Sequence, residues 1–262
     1  MALSNADIER LADVVEAAQQ GAHTMAKLTT LEPALGLADG YAVQDTLRRR
    51  AATRGERVVG FKCGLTSRAK MVQMGVAEPG YGYLTSSMAR ADGGVIELAG
   101  LIHPRVEAEI ALVLARDLRG PGVNVADVLA ATAFAVPALE VIDSRFEAFK
   151  FDLPSVMADN ASSARFVLGG RPVAIAGLDL ATLGVVLEKN GEIVAAAAGA
   201  AVMGHPAAAA CALVNHLGRR GETLPAGSII LTGGVTEAVA GGAGDHFRAR
   251  VQTLGEVGLR FA

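Results

Sequence analysis

At Gly55 the apolar pattern of this chain changes period, and the change divides what it can fold into. Before Gly55 the apolar residues recur at helical spacing. In SNADIERLADVVEAAQQG (4–21), Ile8, Leu11, Ala12 and Val15 form one stripe, Ser4 and Asp7 have capping-box spacing, and Gly21 suits a helix stop. LADGYAVQDTLRRRAATRG (37–55) predicts a second helix with Val43, Leu47 and Ala51 on one face. Arg48, Arg49, Arg50 and Arg54 complement the negative end of its dipole and read as a solvated face. After Gly55 short apolar runs take over, broken by glycine: 57–65, 102–118, 136–146, 225–234 and 247–262. LGVVLEKNGEIVA (183–195) predicts a hairpin, because Asn190-Gly191 fits a type I′ turn. Only two helices interrupt this region. One is NVADVLAATAF (124–134); the other is HPAAAACALVNHLGRRG (205–221), with Pro206 near its first position. The expected fold class is α+β, with an N-terminal helical segment over 1–56 and a β-rich body over 57–262.

Composition removes several function classes. The chain has 262 residues, 51% of them apolar, which is enough to bury a large core. Net charge is −3, there is no basic stripe, and there is no Trp, so nucleic-acid binding has little support. Cys63 and Cys211 make no disulfide framework and read as small core hydrophobes. The N-terminus lacks a signal-peptide pattern and no apolar run reaches the ~20 residues of a membrane span, so a cytoplasmic protein is expected.

RVEAEI (105–110) carries the chemistry. Strand side chains alternate between faces, so Glu107 and Glu109 project together, roughly 6–7 Å apart by strand rise, while Val106, Ala108 and Ile110 face the other way. Glu140 sits in a similarly apolar run, ALEVIDSR (138–145). Two carboxylates about 5 Å apart repel by about 3 kcal/mol at an effective dielectric of 20. Water, pairing with Arg105 and Arg145, protonation of one acid, or a cation between them would each relieve this. A hard divalent ion such as Mg²⁺ or Mn²⁺ prefers such oxygens.

Lys62 lies within an apolar run, where it either snorkels outward or faces a polar cavity. GLTS (64–67) follows, offering backbone N–H groups at Leu65 and the hydroxyls of Thr66 and Ser67 to an anionic group. DNASS (159–163) presents Ser162 and Ser163, although Asp-Asn-Ala-Ser is also turn chemistry. His103 and His205, each before a proline, read as structural, and no Ser-His-Asp or Cys-His set is evident.

Taken together, GFKCGLTSRAKMVQMGV (60–76), HPRVEAEI (103–110), LEVIDSR (139–145), DNASS (159–163), GHP (204–206) and ILTGG (230–234) make the chain resemble the fumarylacetoacetate hydrolase superfamily, in its hydratase and decarboxylase branch. The resemblance spans nearly the whole chain and implies a mixed β-roll body. It implies Glu107, Glu109 and Glu140 as ligands of Mg²⁺ or Mn²⁺. It also implies Lys62 holding a substrate oxygen near the metal, and Ser162 lining the pocket. Where the hydratases of this branch carry aspartates, VAEPGYG (76–82) has Ala77 and Gly80, leaving Glu78 as the segment's single acid. The resemblance therefore implies decarboxylation of 2-oxo-3-hexenedioate to 2-hydroxypenta-2,4-dienoate in aromatic meta-cleavage, with a 2-hydroxypentadienoate hydratase as partner. Hydration of that dienoate, or a mainly scaffolding role beside the hydratase, are the alternatives.

Overall fold

In a computed structural model, residues 2–67, 71–72 and 78–262 are described. Residues 68–70 and 73–76 of the first motif, and the Ala77 position, lie outside that set. Two long helices open the chain, α1 (Asn5–Gly21) and α3 (Leu37–Thr53), with a single turn, α2 (Leu28–Leu31), between them. Ser4 caps α1, its hydroxyl accepting the Asp7 N–H. The left-handed stop falls on Ala22 (φ 47°), one residue after the expected Gly21.

The arginine face of α3 is not simply solvated. Arg50 contacts Glu9, Asp13 and Glu16 of α1, Arg54 contacts Glu16, and Arg48 pairs with Asp45 and Glu222. Between the helices Ile8, Leu11, Ala12, Val15, Val43 and Leu47 are buried with Phe146. This apolar seam outweighs the ion pairs. Leu11→Ala should cost ~2–5 kcal/mol, whereas Arg50→Ala should cost about 1 kcal/mol or less, because its partners are partly exposed. Urea midpoints of the two variants measure the difference.

Among the described residues the body contains two sheets. The larger has the order β2 (Gly80–Thr85), β1 (Val58–Gly64), β10 (Ile229–Leu231), β5 (Arg105–Leu114), β6 (Thr132–Ile142), β7 (Ser163–Leu168), β3 (Ala89–Arg90), with β11 (Val239–Ala240) also on β5. The smaller runs β4 (Gly94–Ile96), β13 (Gly255–Phe261), β12 (His246–Val251), β8 (Gly184–Lys189), β9 (Glu192–Ala198). The β8–β9 turn has Asn190 and Gly191 both at positive φ, as type I′ requires. The expected helix from Asn124 forms as α4 (Val125–Ala131), with Asn124 as cap. It stops short of Phe134: Thr132 and Phe134 instead pair with β5. Two further body helices are α5 (Leu153–Ala158), which the sequence pattern does not predict, and α6 (Pro206–Arg219). His205 caps α6, its Nδ1 accepting the Ala207 N–H. Cys63 and Cys211 are free thiols.

The two faces of the larger sheet have different tasks. Val106, Ala108, Ile110 and Leu112 of β5 join the main core with Val185, Leu187, Phe247, Val257 and Leu259 of the smaller sheet. The opposite face holds a small cluster of Leu84, Ala111, Val136, Ala138, Phe166 and Leu231. Lys62, Leu231 and Ala111 share one cross-strand row, and Glu107, Glu140 and Phe166 another. Neighbours in such a row project from the same face, so the ionisable groups collect beside the smaller cluster.

Candidate active site

The β5–β6 register sets Glu107 directly opposite Glu140. Like charges in that relation destabilise a strand pair, and Glu109, two residues along, adds a third. All three side chains are buried, and one oxygen from each lies within 4.8 Å of the others. Glu109 Oε2 accepts the Gly233 N–H at 2.7 Å, while its Oε1 has no partner among the described residues. Among the described residues Glu140 makes no hydrogen bond of good geometry; Lys62 Nζ stands 3.2 Å from its Oε2. Burial, then the neighbouring carboxylates, push Glu109 well above the usual carboxylate range. Burial also raises Glu140, against the pull of Lys62.

Lys62 does not snorkel. It is 3% exposed, donates to the Ala161 carbonyl at 3.0 Å and faces the acids. Burial opposes its charge, but Glu140, Glu107 and Glu109 more than offset this and hold its pKa above the ordinary lysine value. The ammonium therefore stays protonated in a low-dielectric setting, where one positive charge acts strongly.

DNASS is a turn built against a strand. Asn160, Ala161 and Ser162 all have positive φ (51°, 50° and 60°). Three successive non-glycine residues in that region persist only where surrounding structure holds them. Asn160 holds one end by bonding both the N–H and the carbonyl of Tyr83. Arg145 holds the other, with Nε on Asp159 Oδ1 at 2.5 Å and Nη2 on the Asp159 carbonyl at 2.7 Å. Gly82 must be glycine here, since a Cβ would meet the Asn160 carbonyl oxygen at 2.6 Å. The result presents the Ala161 carbonyl to Lys62 and leaves the buried Ser162 hydroxyl without a partner among the described residues.

These groups open into a cavity of about 540 Å³ lined by Lys62, Leu65, Glu107 and Ser162, with Phe149, Phe151, Val156 and Met157 as apolar wall. Leu65 reaches it from a left-handed conformation (φ 58°). Thr66 is buried with its side chain over Gly233, whose N–H Glu109 holds, so it meets the acid site through that backbone. The Ser67 carbonyl accepts the Met71 N–H. Glu78 is exposed and pairs with Arg219 at 2.7 Å. Gly80 does not have positive φ; a Cβ there would meet Met157 Cε at 2.3 Å, the end of a flexible side chain that would have to shift. Lys27, Arg105, Phe149 and Lys150 also line the cavity, and the sequence gives little sign of it. They are scattered over more than a hundred residues, and only the odd-numbered position of Arg105, in phase with Glu107, signals any of them.

A buried acid–lysine constellation on this strand scaffold points to one enzyme family. The model of the fumarylacetoacetate (FAA) hydrolase C-terminal domain matches residues 57–262, and the chain belongs to that family. Within it, the chain is similar to 4-oxalocrotonate decarboxylase of Pseudomonas sp. (strain CF600), with 52% identity over 99% of this chain and 98% of the relative. It superposes on 4-oxalocrotonate decarboxylase from Pseudomonas putida G7, complexed with magnesium and adipate. That match has a TM-score of 0.97 and 49% identity, over 100% of this chain and 99% of the other. Similarity to 2-keto-4-pentenoate hydratase of Burkholderia vietnamiensis (strain G4 / LMG 22486) is lower, at 42% identity over 97% of both chains. Among the described residues no helix is long and apolar enough to cross a membrane.

Proposed function

We propose that this chain is a divalent-metal-dependent decarboxylase of 2-oxo-3-hexenedioate (4-oxalocrotonate), releasing 2-hydroxypenta-2,4-dienoate. The observation that carries this is the buried Glu107–Glu109–Glu140 cluster beside Lys62, in a chain about half identical along its whole length to enzymes of that activity. The acids fit a metal: three oxygen donors converge in a buried site and Glu109 keeps an unpartnered oxygen. Such donors suit Mg²⁺ or Mn²⁺. Once bound there, a divalent ion supplies Lewis acidity to the oxygens of a 2-oxo acid.

The substrate's far carboxylate is vinylogously β to its ketone. The C5–C6 bond breaks and carbon dioxide leaves. The electron pair forms C4=C5, the C3=C4 pair moves to C2=C3, and the carbonyl pair goes to the C2 oxygen, which then takes a proton. Charge therefore grows on one oxygen. Lys62 supplies a fixed positive charge toward that end of the cavity, and such preorganisation is worth most where water is excluded. Phe151, Val156 and Met157 provide that exclusion. The Ser162 hydroxyl, without a partner among the described residues, offers a donor and an acceptor at the same wall. Leu65, Thr66 and Ser67 complete the substrate-binding segment in this reading.

Hydration needs an acid/base group near the far carbon. Glu78, turned outward to Arg219, is poorly placed for it. Incubated with Mg²⁺, the pure chain should release carbon dioxide from the six-carbon diacid and accumulate the dienoate. Rapid conversion of 2-hydroxypentadienoate into 4-hydroxy-2-oxopentanoate, with no carbon dioxide from the diacid, would establish the hydratase instead. The dienoate tautomerises in water, a chemical motive for direct transfer. A complex with a 2-hydroxypentadienoate hydratase in the cytoplasm, in aromatic meta-cleavage, belongs to the same reading.

A further inference from the structure

We infer that Arg105, seated on Phe149 and flanked by Lys27 and Lys150, receives the second carboxylate of the substrate and makes the enzyme selective for a diacid over a monoacid. The inference rests on the decarboxylase reading and deepens it. Arg105 opens β5, in phase with Glu107 and Glu109, so all three leave the sheet on one face. Two residues along a strand are roughly 6–7 Å apart, about the reach of an extended six-carbon chain. A diacid whose 2-oxo end lies at the carboxylate cluster extends along the cavity wall that Arg105 shares with Glu107.

The surroundings of Arg105 are built rather than incidental. Its guanidinium carbon stands 4.4 Å from the centroid of the Phe149 ring, a cation–π seat that limits its rotamers. Phe149 is delivered by a turn in which it and Ala148 both have positive φ (61° and 51°), and that turn also sets Lys150 on the cavity wall. Lys27 arrives from the N-terminal segment. That segment is pinned by the Met25 N–H on the Arg145 carbonyl (2.8 Å) and the Leu28 N–H on Ser155 Oγ (3.0 Å). None of the three cations has a carboxylate within ion-pair distance among the described residues, although acids elsewhere on the surface are extensively paired. Three such cations on the wall of one cavity make a site for an anion, and their separation from the metal ligands sets the anion's distance from the 2-oxo group.

The far carboxylate departs as neutral carbon dioxide, so attraction to its charge is stronger in the bound substrate than in the transition state. Such binding lowers KM and does not raise kcat. For Arg105→Gln, KM for the diacid should therefore rise at least tenfold, with kcat no lower than in wild type. Calorimetry with two unreactive probes isolates the subsite: 2-oxoadipate, a six-carbon diacid, and 2-oxohexanoate, the monoacid of equal length, each with saturating Mg²⁺. Wild type should bind the diacid at least tenfold more tightly. Arg105→Gln should remove most of that preference and leave monoacid affinity within twofold. Lys27→Met should do the same to a smaller degree, and decides the matter if the arginine variant fails to fold. Equal loss of both ligands, an unchanged preference, or a tenfold fall in kcat at constant KM would overturn the assignment. Absence of carbon dioxide release by wild type would instead refute the underlying reaction, whatever the probes do.

Discussion

Glu109→Gln should abolish most turnover while leaving the metal-free protein at least as stable as wild type. The two effects have one cause. Without a metal ion, three buried carboxylates lie with oxygens within 4.8 Å of one another, and any pair that is ionised at that separation repels by about 3 kcal/mol at an effective dielectric of 20. The amide relieves part of this repulsion, keeps nearly the same volume, and can still accept the Gly233 N–H through its oxygen. What it would remove is a charged ligand of the proposed metal site. A ligand at a hundred times its Kd adds about 2.7 kcal/mol to stability. Wild type should therefore melt well above its metal-free temperature in excess Mg²⁺, and the variant should lose most of that increment. Glu107→Gln should act in the same direction. Melting curves with and without Mg²⁺, beside steady-state rates, check the pattern; a structural acid cluster would instead show lower stability in the variant and an undiminished rate.

Lys62→Met should lower kcat by two or more orders of magnitude, in line with the ~2.7–4 kcal/mol lost when one preorganised charge is removed from a buried site. The side chain is 3% exposed and stands 3.2 Å from Glu140, so its charge is neither screened nor replaceable by water. Methionine fills similar volume, which keeps cavity formation small. Glu140 then loses its partner, and breaking a buried pair leaves an uncompensated charge. Metal-free stability should fall, and Mg²⁺ should restore part of it. Normal rates with a lowered melting temperature would reduce Lys62 to a structural ion-pair partner.

Alternation makes half of this site legible in the sequence. RVEAEI by itself displays two acids on one face, because a strand has period two. Lys62 stands out as a charge in an apolar run, but its direction does not, since the same run serves a snorkelling or a buried lysine. The register that sets Glu107 opposite Glu140 is not legible, because nothing local fixes how strands about thirty residues apart align. β2 is hidden for a related reason. GYGYLT looks like a loop, and the need for glycine at Gly82 comes from the Asn160 carbonyl, which presses on it from far along the chain. The arginines of α3 read as a solvated face, yet Glu9, Asp13 and Glu16 recur on α1 at helical spacing, a complementary stripe that the sequence does display. Arg105 is by sequence a plausible partner for the acids, whereas in the fold it stacks on Phe149.

If the carboxylate cluster loads a divalent ion, decarboxylation should depend on it. The most direct measurement titrates Mg²⁺ into thoroughly chelated wild-type protein, following bound metal and carbon dioxide release from 2-oxo-3-hexenedioate on the same sample. Release should be negligible at first, rise in proportion to occupancy, and level off at one ion per chain. Full release from the chelated protein, or a saturated site without carbon dioxide, would contradict it.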